Sequence, residues 1–69
     1  MKTPEEYEAA FHGLSLPETF ELDSGVHVPD VRKFLELSIN ILKTGESERI
    51  AQPIRWRLDR LLASIHNQE

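Results

Sequence analysis

The sequence predicts a mainly α fold: a compact three-helix domain with helices at about residues 4–12, 29–43 and 53–66, and a short β-hairpin or ordered loop at 18–28. Three observations predict it. Apolar residues recur at spacings of three and four in the helical segments, they alternate in the segment between the first two, and proline, glycine or a capping residue marks most boundaries. Because the chain has 69 residues and no cysteine, one domain over 1–69 must be stabilised by packing or oligomerisation.

The first helix has a start signal before its first residue and a stop signal after its last. Thr3 is expected to cap it, and Glu6 completes a Thr-x-x-Glu capping box. Tyr7 and Phe11 share one face by their spacing of four, and Gly13 supplies a left-handed stop. A helix this short must pack against the rest of the chain to be stable.

The segment after this helix changes from helical to alternating periodicity. Phe20 and Leu22 alternate with polar residues, as do Val26 and Val28 beyond an Asp-Ser-Gly turn in which Gly25 suits the left-handed position. This pattern predicts a bulged hairpin in which Phe20 faces Val28 and Leu22 faces Val26. An ordered extended loop is the alternative, and in either case these apolar side chains are expected to be buried.

The second helix is expected to be the central one. Asp30 in its first turn and Gly45 beyond its end agree on the boundaries. Its apolar residues span about 160° of the helix, which is wider than one packing partner needs. Leu37 lies just outside that arc and is expected to cover the hairpin. The arc consists of Val31, Phe34, Leu35, Ser38, Ile39, Ile41 and Leu42.

The third helix is expected to start at Pro53, because proline suits a first helical turn but not a helix interior. The preceding TGESERIAQ is interpreted as a polar connection that could carry one turn of helix. Five apolar residues fall within about 100° of one another and form the core face. Trp56 lies nearly opposite them. The core-face residues are Ile54, Leu58, Leu61, Leu62 and Ile65.

The stretch around Trp56 is the candidate functional surface, and three interpretations compete for it. The indole could be buried inside the monomer, with Arg60 stacked on its ring. It could be exposed, and with Arg55, Arg57 and Arg60 bind a protein partner or a second copy, since Trp and Arg are enriched at interface hot spots. The arginines could instead contact phosphates while the indole stacks on a base.

The charge distribution weighs against the nucleic-acid interpretation. The net charge is −4, divided into −6 over residues 1–30 and +2 over residues 31–69. An acidic chain repels phosphate, so nucleic acid is the less favoured partner. The two halves are expected to neutralise each other in part by folding together. Arg60 in particular could pair with Glu18, Glu21 or Asp23 as a structural clamp.

No motif predicts catalysis, a cofactor or a metal. His12, His27 and His66 lack the close spacing of a metal site, and no serine has the setting of a nucleophile. The chain is also short for a core together with an enclosed pocket. It has no run of apolar residues long enough to span a membrane, and its acidic opening lacks a secretory signal, so a cytoplasmic location is expected.

The order of signals resembles a family of small uncharacterised bacterial domains of unknown function with a Leu-Pro…Leu…Gly…Asp-Val-x-x-Phe…Asp-Arg-Leu skeleton. The resemblance covers roughly residues 11–62, and it implies a compact helical domain without assigning an activity. The favoured hypothesis is a non-enzymatic protein-interaction or accessory module, and the alternative is a nucleic-acid-associated regulator. The matching positions are Pro17, Gly25, Asp30, Phe34, Asp59, Arg60 and Leu61.

Overall fold

The computed structural model describes residues 2–67, so residues 1, 68 and 69 of the predicted domain lie outside the described part.

Capping residues define the first two helices. Helix α1 (Pro4–Phe11) has the full capping box, in which Thr3 Oγ1 accepts from the Glu6 N–H at 3.2 Å and Glu6 Oε1 accepts from the Thr3 N–H at 3.0 Å. The pKa of Glu6 is lowered because its carboxylate accepts this bond from the Thr3 backbone. The sequence signal and the structure agree here.

Helix α2 (Val31–Lys43) begins two residues later than predicted. Asp30 is the N-cap itself, with its carboxylate accepting from the Lys33 N–H at 3.1 Å. The predicted arc is largely buried, but two apolar residues at or just beyond its edge are exposed. Leu37 is 54% exposed, so the prediction that it covers the hairpin is wrong, and Ile41 is also exposed.

Two short antiparallel strands, β1 (Phe20–Asp23) and β2 (Val26–Val28), confirm the hairpin over the ordered loop. Phe20 pairs with Val28 as predicted. The predicted pairing of Leu22 with Val26 is wrong, because an irregularity after Glu21 absorbs one residue and places Asp23 opposite Val26. Val26 is consequently 51% exposed rather than buried. The left-handed φ of +80° at Gly25 closes the turn.

Helix α3 (Glu48–Asn67) starts five residues before the predicted start at Pro53. The Ser47 carbonyl accepts from the N–H groups of Ile50 and Ala51, both at 2.9 Å, so a complete helical turn precedes the proline. Ala51 is 3% exposed and packs into the core, which stabilises that turn. The carbonyl that Pro53 cannot pair belongs to residue 49, which is exposed and can be hydrated.

The three helices enclose one hydrophobic core. Helix α1 packs against both α2 and α3, and α2 packs against α3. Leu58 and Leu61, at the centre of α3, have no exposed surface, so the predicted core face of this helix is confirmed. The buried apolar residues are Tyr7, Phe11, Phe20, Val31, Ile39, Leu42, Ala51, Ile54, Leu58, Leu61 and Ile65.

Within the described range, no helix is both long enough and apolar enough to cross a membrane.

Candidate functional site

Trp56 is 68% exposed, more than any other large hydrophobic side chain among the described residues. The interpretation that the monomer buries this indole is therefore wrong. It lies on the side of α3 opposite Leu58 and Leu61, and neither of the elements that pack beside it covers it. Tryptophan is normally among the more buried residue types, so a bare indole on a regular helix is the principal feature of this surface.

Helix α1 packs against one edge of α3, beside Trp56. The Tyr7 hydroxyl donates a hydrogen bond of 2.9 Å to Asp59 Oδ1, and the carbonyl oxygen of Arg55 lies 3.5 Å from the same hydroxyl. Tyr7 is only 1% exposed, whereas the Asp59 side chain is 51% exposed. A buried phenol therefore fixes a carboxylate that remains open to solvent. Burial, followed by the bond to Asp59, raises the pKa of Tyr7 to about 12.

The hairpin packs against the other edge of α3. Arg60 Nη1 donates to the Leu22 carbonyl oxygen at 2.5 Å and lies 3.8 Å from Asp23 Oδ1. Arg57 Nη2 lies 3.8 Å from the other oxygen of Asp23. The predicted clamp is thus confirmed with Asp23, and not with Glu18 or Glu21. The predicted stacking of Arg60 on the indole is wrong, because the guanidinium reaches the hairpin instead.

Arg55 is held by its own helix. Its Nη1 and Nη2 donate to the two carboxylate oxygens of Glu48 at 2.7 and 3.0 Å. This bidentate pair joins residues on either side of Pro53 in the helix. The bond from Arg55 lowers the pKa of Glu48, and the same pairing raises the pKa of Arg55. Arg55 Nε is buried without a hydrogen-bond partner. Each of the three arginines of the predicted surface is thus within ion-pair distance of a carboxylate of the same chain.

An open cleft of about 440 Å³ lies between the start of α1 and the exposed side of α3. Clefts elsewhere on the molecule have similar volumes, from about 370 to 540 Å³, so its chemistry and not its size distinguishes this one. Lys2 Nζ lies 5.8 Å from the centroid of the Tyr7 ring and 4.0 Å from Asp59 Oδ1. We call this region the Trp56 surface; it consists of Lys2, Tyr7, Glu48, Gln52, Arg55, Trp56 and Asp59.

The surface has balanced charge. Its two basic side chains, Lys2 and Arg55, are matched by the carboxylates of Glu48 and Asp59. Arg57 and Arg60 do not line the cleft, since both turn toward Asp23 on the hairpin side. The structure thus divides the four residues of the predicted surface. It keeps Trp56 with Arg55 and assigns the other two arginines to the contact with the hairpin.

The N-terminal part of the chain, with Lys2 before α1 and Tyr7 within it, is the part of this surface that sequence reasoning missed. Tyr7 was predicted only as a core residue, and Lys2 was assigned no role. Asp59 could have been found, because a spacing of three places it on the same side of the helix as Trp56. Gln52 lay in the predicted connection before Pro53, so this argument did not reach it. No sequence pattern indicates which edge of α3 the first helix would pack against.

Among residues 2–67, no three His, Cys, Asp or Glu side chains are grouped so that they could hold a metal ion. The three histidines singled out in the sequence are all exposed and belong to three different segments of the fold.

The fold and this surface define a class: a small three-helix domain, closed on one side by a two-stranded hairpin, that presents an exposed tryptophan on its last helix. Over residues 2–67 the chain matches the family DUF6965, described as a domain of unknown function, and it belongs to that family. The expected resemblance to small domains of unknown function is confirmed to that extent. No curated protein and no solved structure matches the chain.

Proposed function

We propose that this domain is a non-enzymatic module that binds another protein through the Trp56 surface. The observation that carries the proposal is the 68% exposure of a tryptophan in the middle of a 20-residue helix. Tryptophan is the residue type most typical of interface hot spots, where it transfers a large apolar area out of water.

The helix beneath Trp56 supports this role because it is anchored to the core. Leu58 and Leu61 are completely buried on its opposite side, and Tyr7 attaches α1 to it through Asp59. A side chain on such a platform loses little backbone freedom when a partner binds, so more of the contact energy appears as affinity. Polar groups around the indole match the usual rim of a protein interface.

The contacts of the arginines favour a protein over a nucleic acid. A phosphate-binding surface needs cations that are free to neutralise phosphate. Arg55 is paired with Glu48, and Arg57 and Arg60 lie against the hairpin near Asp23. The overall charge of −4 works in the same direction.

The proposal includes no catalysis and no cofactor. The pKa of Tyr7 is raised to about 12, which is far from the range in which general acids and bases work at neutral pH. We further propose that the domain acts in the cytoplasm, which is compatible with a chain that has no cysteine and needs no oxidising environment to fold.

The test compares wild-type domain with Trp56→Ala and with Leu37→Ala, a control that removes another exposed apolar side chain, on α2. Each is immobilised, and the proteins that each retains from a lysate are identified. A protein that wild type and Leu37→Ala retain is then purified and titrated into domain labelled with 5-fluorotryptophan. Because the chain has one tryptophan, it gives a single fluorine resonance.

We expect this resonance to shift on titration, and Trp56→Ala to bind at least about 30-fold more weakly, as a hot-spot tryptophan would. If the partner is a second copy, wild type will form a dimer by sedimentation that Trp56→Ala dissociates and Leu37→Ala does not. Equal binding by wild type and a folded Trp56→Ala variant would refute the proposal.

A further inference from the structure

The Trp56 surface already contains a cation beside an aromatic ring and a carboxylate, and this cation belongs to the chain itself. Lys2 Nζ lies 5.8 Å from the Tyr7 ring centroid and 4.0 Å from Asp59 Oδ1. Both distances are at the outer limit of the respective interaction. The side chains of Lys2 and Asp59 are about half exposed, at 44% and 51%. The lysine is therefore held weakly, and another cation could displace it.

The carboxylate of Asp59 is positioned better than the cation it faces. Tyr7 fixes Oδ1 with a bond of 2.9 Å, while half of the side chain stays open to solvent and can accept further hydrogen bonds. Asp59 follows Trp56 by three residues, so the two side chains are neighbours on the surface of α3. A fixed, accessible carboxylate thus lies beside an uncovered indole.

From this arrangement we infer that the cleft binds an arginine or lysine side chain of a basic protein segment, which displaces Lys2. The incoming cation pairs with the Asp59 carboxylate and contacts the indole of Trp56. This inference rests on the proposed function and names the chemistry of the partner.

Charge complementarity supports a basic partner, because displacement of Lys2 leaves two carboxylates, Glu48 and Asp59, against Arg55 alone in the cleft. The whole chain carries −4, and residues 1–30, which include α1, carry −6. A field of this sign attracts a basic segment and repels an acidic one. Among the groups that line the cleft, the Asp59 carboxylate and the indole attract the incoming cation, Arg55 is already paired with Glu48, and Lys2 repels the cation until it is displaced.

The test uses two synthetic peptides, acetyl-Gly-Arg-Gly-Arg-Gly-amide and its neutral counterpart acetyl-Gly-Gln-Gly-Gln-Gly-amide. Each is titrated into 5-fluorotryptophan-labelled domain and into three variants. Asp59→Asn removes the charge while its amide oxygen can still accept from Tyr7. Lys2→Ala removes the internal competitor. Glu46→Gln is the charge-matched control, since Glu46 is exposed in the connection between α2 and α3.

We expect the arginine peptide, and not the glutamine peptide, to shift the Trp56 resonance. Lys2→Ala should tighten its binding and Asp59→Asn should weaken it, each by about two- to fivefold, the size of an exposed cation–π or ion-pair contact. Glu46→Gln should bind like wild type. Equal responses to the two peptides, or an arginine response that Asp59→Asn leaves unchanged, would overturn the inference.

The failure of this inference can be told apart from failure of the proposed function. A purified partner that needs Trp56 but binds Asp59→Asn as tightly as wild type would contradict only the cation site. A partner that does not need Trp56 would contradict the proposed function itself.

Discussion

The hydroxyl of Tyr7 donates to Asp59 across 2.9 Å, and this hydrogen bond joins the first helix to the last directly beside the exposed Trp56. One partner is buried and the other is half exposed. The bond therefore contributes both to the stability of the domain and to the geometry of the candidate site. Its two roles can be separated, since stability is measured on the isolated domain and binding with a partner.

Tyr7→Phe should lower the free energy of unfolding by about 1 kcal/mol, because it removes a single hydrogen bond while keeping the ring in the core. Urea unfolding followed by circular dichroism measures this change. Asp59→Ala and the double variant complete a thermodynamic cycle that isolates the pair. If the losses of unfolding free energy in the two single variants add up to that of the double variant, the two residues are not coupled and the prediction is wrong.

The same residue should make the domain sensitive to alkaline pH. The pKa of Tyr7 is raised from 10.0 to about 12 by burial and by the bond to Asp59. Between these values the unfolded chain has lost the tyrosine proton and the folded chain has kept it. The contribution of Tyr7 is therefore complete below pH 10 and is lost as the pH rises through about 12.

The measurement of this pH effect is unambiguous because the chain has one tyrosine. Titration of the ultraviolet absorbance of tyrosinate should give a midpoint near 12 in folded protein and near 10 in urea. The stability of Tyr7→Phe, measured in parallel, should fall less than that of wild type over the same interval. A folded-state midpoint at the ordinary value would contradict the burial argument.

Pro53 provides a third prediction. It interrupts the hydrogen-bonding of α3 in the second turn, where its ring also crowds the carbonyl four residues earlier. Pro53→Ala restores one N–H donor, and the gain exceeds the entropy that the unfolded chain recovers. We expect the free energy of unfolding to rise by about 1 kcal/mol. Gln52→Ala, which changes helix propensity at the exposed neighbouring position without adding a donor, should change it by a few tenths (about 0.3 kcal/mol). A destabilised Pro53→Ala would show that the proline is needed for the start of α3.

The start of α3 also shows which parts of the fold can be predicted from local sequence. The capping box at Thr3 and the turn at Gly25 were predicted because each depends on neighbours within about four residues. The start of α3 was placed wrongly because Pro53 is itself a typical start signal. The turn before it is stabilised by burial of Ala51, which is a tertiary effect.

The candidate site has a similar division. The helical spacing of the sequence placed Trp56 opposite the core, and the structure agrees. The sequence could not show whether the indole was covered, because that depends on where α1 and the hairpin pack. Helix α1 takes the edge with Asp59, the hairpin takes the edge with Arg60, and the indole between them stays exposed.

The hairpin edge gives the last prediction. Arg60 donates to the Leu22 carbonyl oxygen at 2.5 Å, whereas Arg57 has only a 3.8 Å contact with Asp23. Arg60→Ala should therefore cost about 1 kcal/mol of unfolding free energy, and Arg57→Ala should cost less than about 0.5 kcal/mol. Both guanidinium groups are partly exposed, and a long ion pair in water contributes little.

Trp56 emission serves as the second readout for the arginine variants. Since Arg60 reaches the hairpin and not the indole, Arg60→Ala should leave the emission maximum and its quenching by iodide unchanged. Wild-type emission should itself be red-shifted and readily quenched, as expected for an indole that is 68% exposed. A shift in emission on Arg60→Ala would mean that Arg60 stabilises the domain through the indole, contrary to its observed contacts. A larger loss of stability in Arg57→Ala than in Arg60→Ala would contradict the ranking drawn from the hydrogen bond to Leu22.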